Sequence, residues 1–375
     1  MTSMLKPSSI VIRSVCEPGE RYLHFFLTAP AFQDPAEAYR RLAEQVRASG
    51  LEPLSEKTYG TLKIRSKVLE ARRSAFRDLG LDADLPLTYL EGRPAAGGEF
   101  AGVQLWGIAR QRVSDPGVRS VPVPGGTARL WETPGFRLLH VPSILGAAGL
   151  PPHAQARSMF ARALEAARAH GFPYRNAVRT WIYLRRILDW YEEFNQARNA
   201  LYARPEFLGG EASLFPASTG IQGRAGEEEC LMDALFFSSA GAAAARRVQK
   251  TARQEASCAY GSAFSRGACL EFDGRRLVHV SGTASIGPDG ESLHRGDAAA
   301  QSRETLDAVS AVLGTEGAGL GDIAMSTLFC KDQRAYEAWH ALAAREGGQG
   351  FPMIAVLADV CRPELLVELE ALAVV

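Results

Sequence analysis

The chain repeats itself, and that constrains its fold more than any other feature. Residues 136–141 (FRLLHV) and 275–280 (RRLVHV) each open a run of the same six elements in the same order. A long helical pattern follows, at 153–170 and at 298–313, with apolar residues three and four apart: Met159, Ala163 and Ala166 against Leu306, Val309 and Val312. Next comes a short strand (177–184, AVRTWIYL; 324–330, AMSTLFC), then a helix (187–203; 333–345). Each run closes with Phe-Pro and two strands, over 215–237 and 351–375. A unit of strand, helix, strand, helix, strand, strand, met twice with matching RLxHV and Phe-Pro landmarks, marks a duplication. It predicts an α+β protein in which an N-terminal α/β region (1–127) precedes a first unit (128–245) and a second (255–375). A chain of 375 residues is also too long for one small core.

The N-terminal region reads less clearly. Strands are expected at 9–15, 22–28 and 99–110. A helix is expected over 34–49, with Asp34 as its cap, Pro35 in its first turn and Gly50 as its stop, and a second over 65–79. Residues 113–127, rich in Pro and Gly, read as a loop between domains.

The last segment carries the most suggestive chemistry. Apolar runs at 353–360 and 365–375 flank Cys361-Arg362-Pro363-Glu364. Side chains alternate along a strand, so Leu366, Glu368 and Glu370 share one face and Val367, Leu369 and Ala371 the other. Either that face is solvated, or a carboxyl group is buried there with a raised pKa and held for proton transfer.

Composition excludes several roles. Basic and acidic residues balance, 42 against 42, so nothing favours nucleic acid or an anionic membrane as partner. No run approaches the roughly 18 apolar residues that span a bilayer. Residues 1–15 lack the apolar core and cleavage site of a signal peptide. Six scattered cysteines without a CxxC pair suit neither a zinc cage nor a disulfide framework. A cytoplasmic protein without metal or organic cofactor is expected, as a monomer or as a homo-oligomer such as a trimer.

The repeated unit resembles the YjgF-like (reactive-intermediate deaminase) fold, whose closing segment also runs from Phe-Pro to a Glu-bearing last strand. More specifically, the segments RTWIY (179–183), WYEEFN (190–195), Arg198-Asn199, PASTGI (216–221) and YGSAFSR (260–266) together resemble the chorismatase family, over about residues 130–375. The resemblance implies two YjgF-like units of chorismate-mutase-like α/β sandwich type, chorismate as substrate and no cofactor. Glu368 takes the place of the family's catalytic acid, which protonates the enol-ether methylene. Two pocket residues divide the family by product: Ala and Val in the hydrolysing type, Gly and Cys in the 3-hydroxybenzoate type. Gly267 and Cys361 are assigned to those positions, which implies 3-hydroxybenzoate and pyruvate. Hydrolysis to a dihydroxycyclohexadiene carboxylate, or ligand binding without catalysis, are the alternatives.

Chorismate bears two carboxylates, so its pocket needs cations and amide donors in two places. Arg179, Trp181 and Tyr183 share a strand face, and Tyr260, Ser262, Phe264 and Arg266 share one if that segment is extended. Arginine's fork suits a planar carboxylate, so Arg179 and Arg266 are the expected clamps, with Arg362 a further cation. Ser218, Thr219 and Gly220 supply hydroxyls and a close backbone approach; Tyr183, Tyr202 and Tyr260 complete the expected lining. YjgF-like deaminases usually carry an Arg soon after Phe-Pro, where this chain has Met353 and Ile354. His140 and His279 recur in the repeat and read as structural; Trp106, Trp131 and Trp339 read as core.

Overall fold

The computed structural model describes residues 10–15, 21–30, 34–207, 214–240, 243–345 and 350–375. Its first part comprises β1 (Val11–Val15), β2 (Tyr22–Pro30), α1 (Pro35–Ala48), β3 (Glu52–Gly60), α2 (Arg65–Asp78), β4 (Thr88–Glu91), the short β5 (Arg93–Pro94) and β6 (Phe100–Arg110). Asp34 caps α1 by accepting from the Ala36 amide at 3.2 Å, Pro35 fills its first turn, and Gly50 ends it at φ +58°. The middle part contains β7 (Val118–Val123), β8 (Gly126–Glu132), β9 (Phe136–Leu145), α3 (Pro152–Ala169), β10 (Ala177–Leu184), α4 (Ile187–Tyr202), β11 (Ala217–Gln222) and β12 (Cys230–Ser239). The last part contains β13 (Ala244–Val248), β14 (Gly267–Phe272), β15 (Arg275–Ala284), α5 (Ala298–Gly314), β16 (Ile323–Cys330), α6 (Gln333–Arg345), β17 (Met353–Leu357) and β18 (Val367–Val374).

The two expected tandem units are present, each with its six elements in the expected order. Residues 113–127 are not an interdomain loop, however. β7 and β8 form a hairpin across Pro124 and Gly125, with Gly125 at φ +85°, and add two strands to the first unit's sheet. The sheets run β11-β10-β12-β9-β8-β7 and β13-β14-β15-β18-β16-β17-β5. In both, the last strand inserts antiparallel between the first and second, and the third lies parallel at the second's outer edge.

The N-terminal extension follows the same plan. Its sheet runs β1-β2-β6-β3-β4, with β6 inserted antiparallel between β2 and β3 and β4 parallel to β3. Each sheet covers one face with its helices. The opposite faces meet in the middle of the molecule, where Phe26 and Trp106, Trp131 and Leu235, and Leu277 and Leu372 from the three sheets form one buried cluster. His140 and His279 are buried against Trp181 there, at ring-centroid distances of 6.3 and 6.1 Å. Burial holds both imidazoles neutral, with pKa values of about 3. Trp106, Trp131 and Trp339 are core residues.

Candidate active site

Strand β18 is buried along its whole length. Val367, Leu369, Ala371 and Ala373 pack into the α5/α6 core, so the even-numbered residues point into the middle of the molecule. The glutamate face is therefore not solvated: Glu368 is 4% exposed and Glu370 5%. Phe329 of β16 and Ala284 of β15 flank Glu368 in the sheet.

The two carboxyl groups meet opposite environments. Arg179 Nη2 lies 2.7 Å from Glu370 Oε2, and the Thr219 hydroxyl donates to the same oxygen at 2.5 Å. Thr219 Oγ1 in turn accepts from Arg179 Nη2 at 2.6 Å and from the Gly282 amide at 3.0 Å. Among the described residues, none donates a hydrogen bond to Glu368. Burial is the main force raising its pKa, the charge of Glu370 adds to it and Arg179 opposes it; the outcome is about 8, so the group is an acid at neutral pH. Gly282 makes room for it: a Cβ there would clash with Glu368 Oε1.

Beside Glu368 lie Cys361 and Tyr191 of α4, and Arg198 of the same helix lies beside those two. The Cys361 thiol is pushed up to about 12, first by burial and then by Glu368, so it remains a thiol rather than a thiolate nucleophile. Burial and then Cys361 raise the Tyr191 phenol as well. A Cβ on Gly220 would lie 3.7 Å from the Tyr191 hydroxyl, so this glycine leaves the ring space. Arg198 is buried and donates from Nη2 to Asn195 Oδ1 at 2.6 Å, while its Nε has no partner among the described residues. Its guanidinium lies 5.6 Å from the Phe264 ring centroid, and that of Arg266 lies 5.4 Å from the same ring.

Several expected site residues prove to have other work. Arg179 is not an open carboxylate clamp, because its guanidinium serves Glu370, Thr219 and the Thr180 carbonyl. Arg266 donates from Nε and Nη2 to the Glu255 carbonyl at 3.1 and 2.8 Å. Arg362, half-buried, donates to the Gly290 carbonyl at 2.7 Å and Ser292 Oγ at 3.2 Å. Ser218 links β11 to Thr180 and Ser281. Tyr183 packs with Tyr59 and Ile221 in a buried cluster that also holds Ala284 and Phe329, the strand neighbours of Glu368. Tyr202 stacks into the aromatic core beside Tyr174, Phe207 and Phe215. Gly267 faces α5, not Glu368: a Cβ there would meet Val312 Cγ1 at 2.9 Å and the His279 carbonyl at 3.0 Å. Residues Ser257–Tyr260 form a single 3-10 turn before Gly261 at φ +90°, so the segment is not one extended face; the Tyr260 side chain lies outside the described residues.

Sequence reasoning passed over Tyr191 and Arg198 as site residues, although both lie in segments that carry the resemblance. Their spacing held a signal: seven residues is two helical turns, so both project from one face of α4, with Phe194 between them.

Register shows that the acid occurs once. Phe329 pairs with Glu368, and in the corresponding strands Tyr183 pairs with Leu231 and Tyr59 with Gly102. Of three equivalent places in three sheets, only one bears a carboxyl group.

Comparison with known proteins agrees with this architecture. The family model described as endoribonuclease L-PSP matches residues 261–375. A crystal structure of a chorismatase covers 99% of this chain and 100% of its own, with a TM-score of 0.62 at 17% sequence identity. The 3-aminoacrylate deaminase RutC of Acinetobacter baylyi is 29% identical over 98 residues, 26% of this chain and 78% of that protein. A YjgF/YER057c/UK114-family structure from Mycobacterium tuberculosis is 25% identical, covering 35% of this chain and 100% of its own at a TM-score of 0.29. The fold is α+β, built from tandem YjgF-like units. No helix among the described residues is long and apolar enough to cross a membrane.

Proposed function

We propose that this chain is a chorismatase that cleaves the enol ether of chorismate by proton transfer from Glu368. The observation that carries the reading is a buried carboxyl group, protonated at neutral pH and free of hydrogen-bond donors among the described residues, beside the Arg179–Glu370 ion pair. A carbon atom is a slow base, so protonating the terminal methylene needs an acid with a pKa near the working pH in a site shielded from water. Arg198, whose Nε has no partner among the described residues and whose guanidinium lies 5.6 Å from the Phe264 ring centroid, is the cation proposed to meet a substrate carboxylate. Tyr191 and the Cys361 thiol form the wall beside the acid.

Glu368 gives its proton to the methylene and leaves an oxocarbenium ion. A ring hydroxyl of the substrate then attacks the ring carbon that bears the ether oxygen, that carbon–oxygen bond breaks to release pyruvate, the hydroxyl proton returns to the Glu368 carboxylate, and the arene-oxide-like intermediate opens to 3-hydroxybenzoate; no water is consumed. Capture by water would give the dihydroxycyclohexadiene carboxylate instead. The first outcome is favoured by the burial of Glu368, which keeps bulk water from the acid. Gly267 adds nothing to the product assignment. Imine deamination, suggested by the likeness to a 3-aminoacrylate deaminase, lacks the arginine expected after Phe-Pro, where Met353 and Ile354 stand.

The test is direct. Purified protein is mixed with chorismate, its ultraviolet absorbance is followed, pyruvate is assayed with lactate dehydrogenase, and the aromatic product is separated by chromatography. Equimolar pyruvate and 3-hydroxybenzoate are expected. Tight binding of chorismate without turnover would leave a binding protein; turnover to the diene acid would retain the chorismatase and change its product.

A further inference from the structure

Glu370 lies two residues from Glu368 on the same face of β18, about 6.6 Å away along the strand. The Arg179 guanidinium and the Thr219 hydroxyl fix its oxygen at 2.7 and 2.5 Å, so the carboxylate is held by a buried ion pair and a hydroxyl donor. Thr219 is in turn fixed by the Gly282 amide at 3.0 Å, so the charge cannot swing away. The mechanism above gives this ion pair no contact with substrate.

We propose that Glu370, anchored by Arg179 and Thr219, is a positioning residue whose fixed charge acts on Glu368 along β18, and that Lys57 of the N-terminal sheet offsets that charge. The inference rests on the reading of Glu368 as the proton donor and deepens it. Like charges so close in a dry interior repel strongly, so the second carboxyl group keeps its proton.

The groups facing the pair come from several elements. Glu368 meets Arg179 from β10, Cys361 from the loop before β18, and Tyr191 from α4. Glu370 meets Arg179 and Tyr183 from β10, and Lys57 and Tyr59 from β3. Asp233 of β12 lies on the far side, its Oδ2 4.0 Å from Lys57 Nζ. A cavity of about 40 Å³, lined by Lys57, Gln104, Arg179, Thr327 and Glu370, connects these groups, and neutral His279 borders it. Lys57 is held 3.6 Å above the Trp181 ring, and burial lowers its pKa to about 7 against the pull of Glu370 and Asp233. Through this lysine the N-terminal sheet reaches the centre that governs the acid.

The experiment is the pH dependence of chorismate turnover, together with infrared difference spectra that use Glu368→Gln as the reference for a protonated carboxyl band. In Glu370→Gln the basic limb of the profile should move down by a unit or more, so the ratio of turnover at pH 8 to that at pH 6 falls about tenfold. Glu370→Asp, which keeps the charge, should restore it. Lys57→Met replaces a buried cation by an apolar side chain, and should move the limb the other way. The infrared band of Glu368 should be nearly full at pH 7 in the wild type and clearly weaker in Glu370→Gln. A merely structural role would lower turnover in these variants without moving the limb. An unmoved limb, or a band of undiminished strength in Glu370→Gln, would overturn the inference. Should the protein prove inert toward chorismate while the band behaves as expected, the proposed reaction fails and the coupling stands.

Discussion

Replacing Glu368 by Gln removes one proton and keeps the shape, and it should separate catalysis from stability. Loss of a general acid lowers turnover by roughly 10²–10⁴-fold. Stability should move in the opposite direction. The folded-state pKa is about 8 against an ordinary 4.5, so folding holds the proton on Glu368 where the unfolded chain would release it. The group's contribution is complete below pH 4.5 and is lost as pH rises through 8. At about 1.4 kcal/mol per pKa unit, the wild type loses roughly 3–4 kcal/mol relative to the glutamine variant between pH 5 and pH 8.5, as an upper bound. Urea denaturation of both proteins at the two pH values measures this. The variant should be the more stable one at pH 8.5, with the difference shrinking toward pH 5. Parallel stability curves would show that Glu368 titrates normally, and the argument from burial would then be wrong.

Other variants probe the surroundings. Arg198→Ala should weaken chorismate binding by about 1.5–3 kcal/mol, read as a raised KM, because a charge-assisted contact to a carboxylate is lost; an unchanged KM in a folded variant removes Arg198 from the site. Gly282→Ala forces a methyl group against the Glu368 carboxyl and should cost about 1–3 kcal/mol of stability along with most of the activity, measured by thermal melting and pyruvate release. The Cys361 thiol, with a pKa of about 12, should resist alkylation at pH 8 while exposed Cys258 reacts, as peptide mapping would show. Cys361→Val should alter the proportion of 3-hydroxybenzoate to diene acid without abolishing pyruvate release.

The duplicated halves were legible because helix and strand periodicity are local properties, and the alternation of β18 correctly set Glu368 and Glu370 on one face. β3 was not legible. Its sequence, EPLSEKTYG, looks too polar for a buried strand. The structure buries it by pairing: Glu56 with Arg72 of α2 at 2.9 Å, and Lys57 beside Asp233 of β12. Without β3 the N-terminal region could not be matched to the other two. The hairpin of β7 and β8 was hidden in the same way, because its Pro-Gly turn reads equally as loop. The partner of Arg179 was beyond reach for a further reason. Glu370 lies 191 positions away, and an arginine facing an apolar pocket looks the same in sequence whether it awaits a ligand or already holds a carboxylate.

The central claim is that Glu368 delivers a solvent-exchangeable proton to the methylene carbon of chorismate. Turnover in D2O, with pyruvate reduced in place to lactate and its methyl group analysed by mass spectrometry, tests this most directly. The account predicts one deuterium in each methyl group. A methyl group without deuterium, its third hydrogen drawn from the substrate ring, would contradict it.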